Sequence, residues 1–199
     1  MNRKLKRAAV VILTTIVLVT AGVIIFSPYH KHGSTDYRTL EFSIEIDAPV
    51  DSVYAYLGDS DNAEDWSIYV DHISALNSNE CADGAVGAKR RCFQEANEEG
   101  IIWDEQVVEV IPSRKRRLTI YNLKGFSVQA NGLETEQIYE VISPNKTRLT
   151  FTVFYGDHNP SAIESLKMYY ASYEMYRIFK GNLERVKFLV EEKEKSITA

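Results

Sequence analysis

The stretch "IEIDAPVDSVYAYLGD", Ile44 to Asp59, carries two different periodicities on either side of one proline. Together with the preceding residues, Phe42, Ile44 and Ile46 alternate with Glu41, Ser43, Glu45 and Asp47, the period-two pattern of a strand with one buried and one wet face. Pro49 ends that strand and suits the first position of a helix, where its missing N–H leaves nothing unsatisfied. Val50, Val53, Tyr54 and Leu57 then recur at helical spacing, so a short amphipathic helix is predicted up to Gly58. "SDNAEDWSIYV", which follows, reads as a second short helix that buries Trp66.

Beyond Asp71 the pattern turns to strands. Segments near 70–78, 86–95, 101–111, 116–124, 134–143 and 147–156 are rich in β-branched and aromatic residues. Turn pairs separate them: Asp83-Gly84, Glu99-Gly100, Pro112-Ser113, Asn131-Gly132 and Pro144-Asn145. Short turns make consecutive strands antiparallel neighbours. Ser161 with Glu164 then forms a capping-box pattern, and apolar residues from Ile163 to Val190 keep helical spacing, which predicts one long helix that bends or approaches a neighbour closely at Gly181. One strand, two short helices, six strands and a long helix make an α+β fold, an antiparallel sheet of about seven strands curled around the C-terminal helix. The space between sheet and helix is the candidate site.

Ahead of all this, Ala8 to Phe26 is an uncharged run of nineteen residues, close to the roughly 20 that span a bilayer as helix. Arg3, Lys4, Lys6 and Arg7 precede it, a bias that predicts a cytoplasmic N-terminus and an extracytoplasmic domain. A cleavable signal peptide, ending near Val19-Thr20-Ala21, competes with an uncleaved anchor. The reading therefore divides the chain into a membrane anchor at 1–27, a linker at 28–38 and one domain at 39–195. Past the basic N-terminus the chain has 19 Lys and Arg against 28 Asp and Glu, a surface that repels phosphate backbones and argues against nucleic-acid binding. Arg114-Lys115-Arg116-Arg117 reads as a solvated hairpin, with a lipid headgroup contact as the alternative. Cys81 and Cys92 read as unpaired, although export would permit a disulfide. His30 and His32 offer no more than an adventitious metal contact, and no zinc-type spacing occurs, so neither metal nor cofactor is expected.

Several of these stretches resemble the START-like or SRPBCC superfamily, the helix-grip fold of polyketide cyclase/dehydrase-like and lipid-transfer proteins. "IEIDAPVDSVYAYLGD" is similar to its opening strand, alanine-proline and helix, and "AEDW" to the end of its second short helix. "DGAVGAKRRC", "WDEQVVEVIPSRKRRLTIY", "NKTRLTFTVFY" and "FKGNLERVKFLVEE" resemble, in order, later strands and the end of the grip helix, so the resemblance covers about 39–192. It implies a cavity for a hydrophobic or amphipathic small molecule, such as a lipid or an aromatic metabolite. It leaves open whether the protein only binds, acts as a cyclase/dehydrase-type enzyme, or is an envelope interaction module with a vestigial cavity.

The residues expected to line that cavity are Val53, Tyr54, Leu57, Trp66, Trp103, Glu105, Tyr121, Phe151, Tyr169, Tyr173 and Tyr176. Glu105 shares a strand face with Trp103, and Val107 with Glu109; an inward Glu105 could orient a ligand hydroxyl or act as acid or base, an outward one is only solvated. His72 is the other catalytic candidate, weighed against a strand-edge residue bonded to backbone, and His158 is read in the same way. Tyr169, Tyr173 and Tyr176 fall on one helical face, as packing or as a lining that presents hydroxyls. Phe126, in "KGFSV", could gate the cavity or touch the membrane, or sit in a longer hairpin. No nucleophile elbow, phosphate loop or dinucleotide fingerprint is present, so binding without catalysis is the favoured expectation.

Overall fold

The computed structural model describes residues 3–32 and 36–198. A helix α1, Arg3–Phe26, leads into a two-residue strand β1, His30–Lys31, and then β2, Arg38–Ile46. Next come α2, Val50–Gly58, a 3-10 turn at Ser60–Asn62 and α3, Ala63–Trp66. Six strands follow: β3, His72–Ala75; β4, Lys89–Phe93; β5, Ile102–Ile111; β6, Lys115–Lys124; β7, Leu133–Ser143; and β8, Lys146–Tyr155. The chain closes with α4, Ala162–Thr198.

All strands join one antiparallel sheet in the order β1-β2-β8-β7-β6-β5-β4-β3, so the meander closes on β2 at one side. Eight strands rather than about seven are present. The additional one, β1, pairs His30 with Thr39 and Lys31 with Arg38 inside the segment predicted as a linker. Two residues carry no period, so alternation had nothing to show there. Neighbouring Tyr29 is only 2% exposed, and residues 33–35 of that segment lie outside the described ones.

Pro49 caps α2 with an extended ψ of 146° instead of occupying its first turn, which lets β2 hand directly to the helix. Val53 and Leu57 then reach Ile46, Tyr139, Leu149, Leu183, Val186 and Val190 in a solid core at one end of the sheet. Each such fully buried aliphatic side chain contributes about 1.5–3 kcal/mol. A second cluster, with Tyr29, Leu40, Leu133, Val153, Tyr155 and Met168, fills the other end. Gly181 is the close approach on α4, because a Cβ there would lie 2.5 Å from Ile68 Cδ1.

Two irregularities decide which side chains face α4. Val107 pairs with Leu118 but Glu109 pairs with Arg117, so a bulge between them puts Glu109 on the outer face, opposite Val107. There Lys115 and Arg117 form a ladder of ion pairs with Glu109, Glu134 and Glu136. Arg116, between the two, points inward and is 3% exposed, so the basic cluster is solvated only on alternate residues. At the other irregularity Asn122 takes a φ of 52° and donates from Nδ2 to Asp104 Oδ2 at 2.8 Å.

Asp104 also accepts from Arg91 Nε at 2.7 Å and Nη2 at 3.0 Å on the outer face. Hydrogen bonding from Arg91, opposed by burial and aided by Asn122, holds its carboxyl below the usual aspartate range. A depressed acid stabilises the fold fully above its unfolded value of about 3.9 and loses that contribution as pH falls through the folded value. Thermal unfolding should therefore show a drop in Tm from about pH 5 to about pH 3 that is shallower in Asp104→Asn than in the parent; equal slopes would remove Asp104 from the acid limb.

Candidate functional site

Between α4 and the inner faces of β4 to β8 lies a cavity of about 420 Å³, roofed by the end of α3 and the loop after β6. That volume falls within the roughly 300–1,000 Å³ of small-molecule sites. Its walls are mostly apolar. Met168, Ala171, Met175, Ile178 and Phe179 supply the α4 side, at a spacing of three or four residues that defines one helical face. Phe151 forms the floor and meets both Trp66 and Phe179 edge-on, at 6.1 Å and 5.7 Å between ring centres. The exposed lining residues, Ser127, Tyr170 and Glu174, mark a mouth between that loop and α4.

Polar groups interrupt the apolar wall, Thr135 and Ser67 among them, and three set its chemistry: Glu105, Gln137 and Asn182. Glu105 faces inward, where Oε2 accepts from Arg90 Nε at 2.9 Å and Nη2 at 2.8 Å, and Oε1 accepts from Trp103 Nε1 at 2.9 Å. Arg90 is steadied by Ser60, which in turn donates to Asp83. With both oxygens engaged, this carboxylate is a clamped wall element. His72, the other catalytic candidate, is not among the lining residues; it stacks on Phe93 and its Nδ1 lies 2.9 Å from Asp71.

The second polar group is Gln137, 6% exposed. Arg116 Nη1 donates to its Oε1 at 3.0 Å, and the Tyr139 hydroxyl donates to the same oxygen at 2.8 Å. An arginine can only donate, so this contact fixes which end of the amide is oxygen. Burial pushes the Tyr139 hydroxyl well above its ordinary pKa and keeps it a donor. Arg116 itself has no carboxylate partner among the described residues; Leu57 O and the face of Tyr54, 4.7 Å from its Cζ, complete its surroundings. Gln137 Nε2 has no hydrogen bond among the described residues, and its residue lines the cavity.

Asn182 repeats the arrangement from α4. Its Oδ1 accepts from the Ile68 backbone N–H at 2.8 Å, its residue lines the cavity, and its Nδ2 has no hydrogen bond among the described residues. Two amides on opposite walls thus have their oxygens occupied and their NH2 groups available, so the cavity offers donors to an acceptor-bearing guest.

Of the residues expected to line the cavity, Trp66, Trp103, Glu105 and Phe151 do so. Val53 and Leu57 belong to the solid core, and Tyr54 packs edge-on against Tyr139, so the closed end is filled. Tyr121 lies on the outer face because it pairs with Asp104; its neighbour Ile120 pairs with Glu105 and takes the inward place. Tyr169, Tyr173 and Tyr176 turn away from the cavity, toward Tyr29, the Val23 carbonyl and Phe42 respectively. Phe126 tucks against Trp103, at 5.9 Å between ring centres, as part of the roof. Cys81 and Cys92 are free thiols. His158 stacks on Tyr37 away from the cavity, and among the described residues no cluster of three or more His, Cys, Asp or Glu could hold a metal.

This architecture is a helix-grip fold, and solved structures share it. The Zhui aromatase/cyclase from a Streptomyces species is 18% identical, with 78% of this chain and 94% of that one covered and a TM-score of 0.56. A protein of Nitrosospira multiformis is 12% identical over 79% of this chain and 99% of its own, with a TM-score of 0.60. DynU16, from the dynemicin biosynthetic locus, is 16% identical over 77% of this chain and 47% of its own, at a TM-score of 0.53. Identities this low carry the fold and leave the activity to the site. No protein-family model and no curated protein matches the sequence.

Proposed function

We propose that this chain is a membrane-anchored binding protein for a small amphipathic molecule, held in the cavity between sheet and α4. The observation that carries the reading is the largely apolar 420 Å³ space with the NH2 groups of Gln137 and Asn182 on opposite walls. A guest matched to it is a compact hydrophobic body, lipid-like or aromatic, with carbonyl or hydroxyl oxygens at two positions. Binding is favoured over cyclase-type catalysis because Glu105 is occupied by Arg90 and Trp103, and because His72 lies outside the cavity. An open volume of this size likewise counts against a vestigial cavity.

Residues 1–27 serve as the anchor in this reading and 39–195 as the binding domain. Helix α1 is long and apolar enough to cross a membrane, with a mean hydropathy of 2.8, and its apolar stretch is unburied. The basic residues before it support an orientation with the N-terminus in the cytoplasm and the domain outside.

Full-length protein purified from its host in mild detergent should carry a near-stoichiometric small molecule, detected by native mass spectrometry and solvent extraction. Gln137→Glu, which keeps an oxygen for Arg116 and Tyr139 but removes the NH2 donor, should lower its retention at least tenfold, since the guest's acceptor then meets a carboxylate oxygen. Protein that is empty as isolated, and that takes up no oxygen-bearing amphiphile offered to it, would end this reading.

A further inference from the structure

The last turns of α1 are docked on α4. The Thr20 hydroxyl and the Tyr170 hydroxyl share a hydrogen bond at 3.2 Å, and the Tyr173 hydroxyl donates to the Val23 carbonyl at 3.0 Å. Immediately after α1, Ser27 and Ser172 bond at 2.8 Å in a buried contact, and Tyr29 packs edge-on against Tyr169 at 5.6 Å. The apolar helix therefore joins the domain without slack, so its own depth in a bilayer sets the depth of α4.

That depth follows from length. Arg7 is the last charge before the apolar run, and the rise from Arg7 to Thr20 is about 20 Å, well short of a hydrocarbon core of about 30 Å. Only by including the turns from Thr20 to Phe26 does α1 reach about 28 Å. Those are the turns that touch Tyr170 and Tyr173, about 5–9 Å below the level of Phe26, which places both tyrosines at the shallow depth where interfacial helices and aromatic side chains with polar tips settle. Ile163, Leu166, Tyr170 and Tyr173 are 69%, 39%, 42% and 43% exposed and share one α4 face by their spacing, an apolar stripe continuous with α1. Tyr170 also stands at the cavity mouth.

We infer that this stripe rests in the interfacial layer of the outer leaflet and that the cavity opens onto that layer, so that the guest exchanges with the bilayer beside α1 and not through bulk water. The inference rests on the reading of α1 as a membrane span, but not on the identity of the guest.

Its test uses the full chain in lipid nanodiscs, with Cys81→Ser removing the half-exposed thiol; Cys92 stays, since burial raises its pKa well above the ordinary value and shields it from labelling. A bimane fluorophore is attached singly at Ile163→Cys, Leu166→Cys, Val17→Cys or Val141→Cys. Val17 lies about halfway along α1, and Val141, 63% exposed, sits about 27 Å along β7 from Leu133 and the membrane-side cluster. Headgroup-proximal nitroxide lipids should quench the labels at 163 and 166 at least threefold more than the one at 141, while deep nitroxide lipids quench the one at 17. Labels at 163 and 166 quenched no more than 141, with 17 still quenched by deep lipids, would overturn the inference and leave the anchored reading standing. An unquenched label at 17 would overturn both.

Discussion

Glu105→Ala is expected to destabilise the domain by about 3–5 kcal/mol, the cost of leaving a buried arginine without its carboxylate. In the parent, the Arg90 and Glu105 side chains are 11% and 12% exposed and joined by two short bonds. Removing Glu105 strips Arg90 of its only ion-pair partner among the described residues and leaves Trp103 Nε1 without an acceptor. Among the described residues Ser60 is the sole hydrogen-bond partner that remains to Arg90, and Ser60 is already committed to Asp83. At about 2–4 °C per kcal/mol for a chain of this size, Tm should fall by about 10 °C. Replacing both members, Arg90→Met with Glu105→Met, should recover most of that loss, because a well-packed apolar pair avoids the desolvation of both charges. A single variant within 1 kcal/mol of the parent would mean that water reaches Arg90 and that the clamp is not a dry wall. Urea unfolding of the two single variants and the double variant supplies the coupling directly.

The double variant also bears on function. If the clamp serves only the wall, the apolar pair should keep the guest, since Gln137 and Asn182 retain their orientation through Arg116, Tyr139 and the Ile68 N–H. If the guest contacts the clamp, retention should fall although the fold is intact.

Much of this architecture could be read from patterning, because it is set by local signals. Phe42, Ile44 and Ile46 alternate, Pro49 interrupts, and Val50, Val53 and Leu57 resume at helical spacing, so strand and helix each declare themselves within a few residues. The site was less legible, for reasons that are long-range. Tyr169, Tyr173 and Tyr176 mark one face of α4 in the sequence, but hydroxyl tips need partners, and all three turn toward the Tyr29, α1 and β2 side. The cavity face is the plainer set Met168, Ala171, Met175 and Phe179, rotated about 100° from it. Gln137 is one polar residue in an alternating strand, and nothing local distinguishes it from a solvated one. Its role depends on Arg116, 21 residues away in the chain, which lies within a basic run that looks solvated throughout. Strand phase adds a further difficulty, since one bulge after Val107 reverses the facing of Glu109 and no residue type in "VVEVI" announces it.

Ala171→Trp is expected to abolish guest retention, by at least a hundredfold, while leaving the fold as stable as before. Ala171 lies on the cavity face of α4, one residue from Tyr170 at the mouth, so an indole there projects into open volume and not into packed side chains. Overpacking a filled core costs about 1–3 kcal/mol, but that penalty arises from displaced neighbours, and here the neighbour is empty space. Trading alanine for tryptophan within a helix costs only about 0.5 kcal/mol, which burial of an aromatic ring in the apolar cavity more than offsets. The control is Ala55→Trp on the exposed side of α2, which makes the same exchange away from the cavity and should leave retention unchanged. Mass spectrometry of the purified full chain reads retention, and thermal unfolding reads stability. A parent that loses its guest only in Ala171→Trp places the binding site inside the grip. Retention equal in all three proteins would move the guest elsewhere, and a higher Tm in Ala171→Trp with no guest in any of them would mark the cavity as an unused void, the outcome that an envelope interaction module requires.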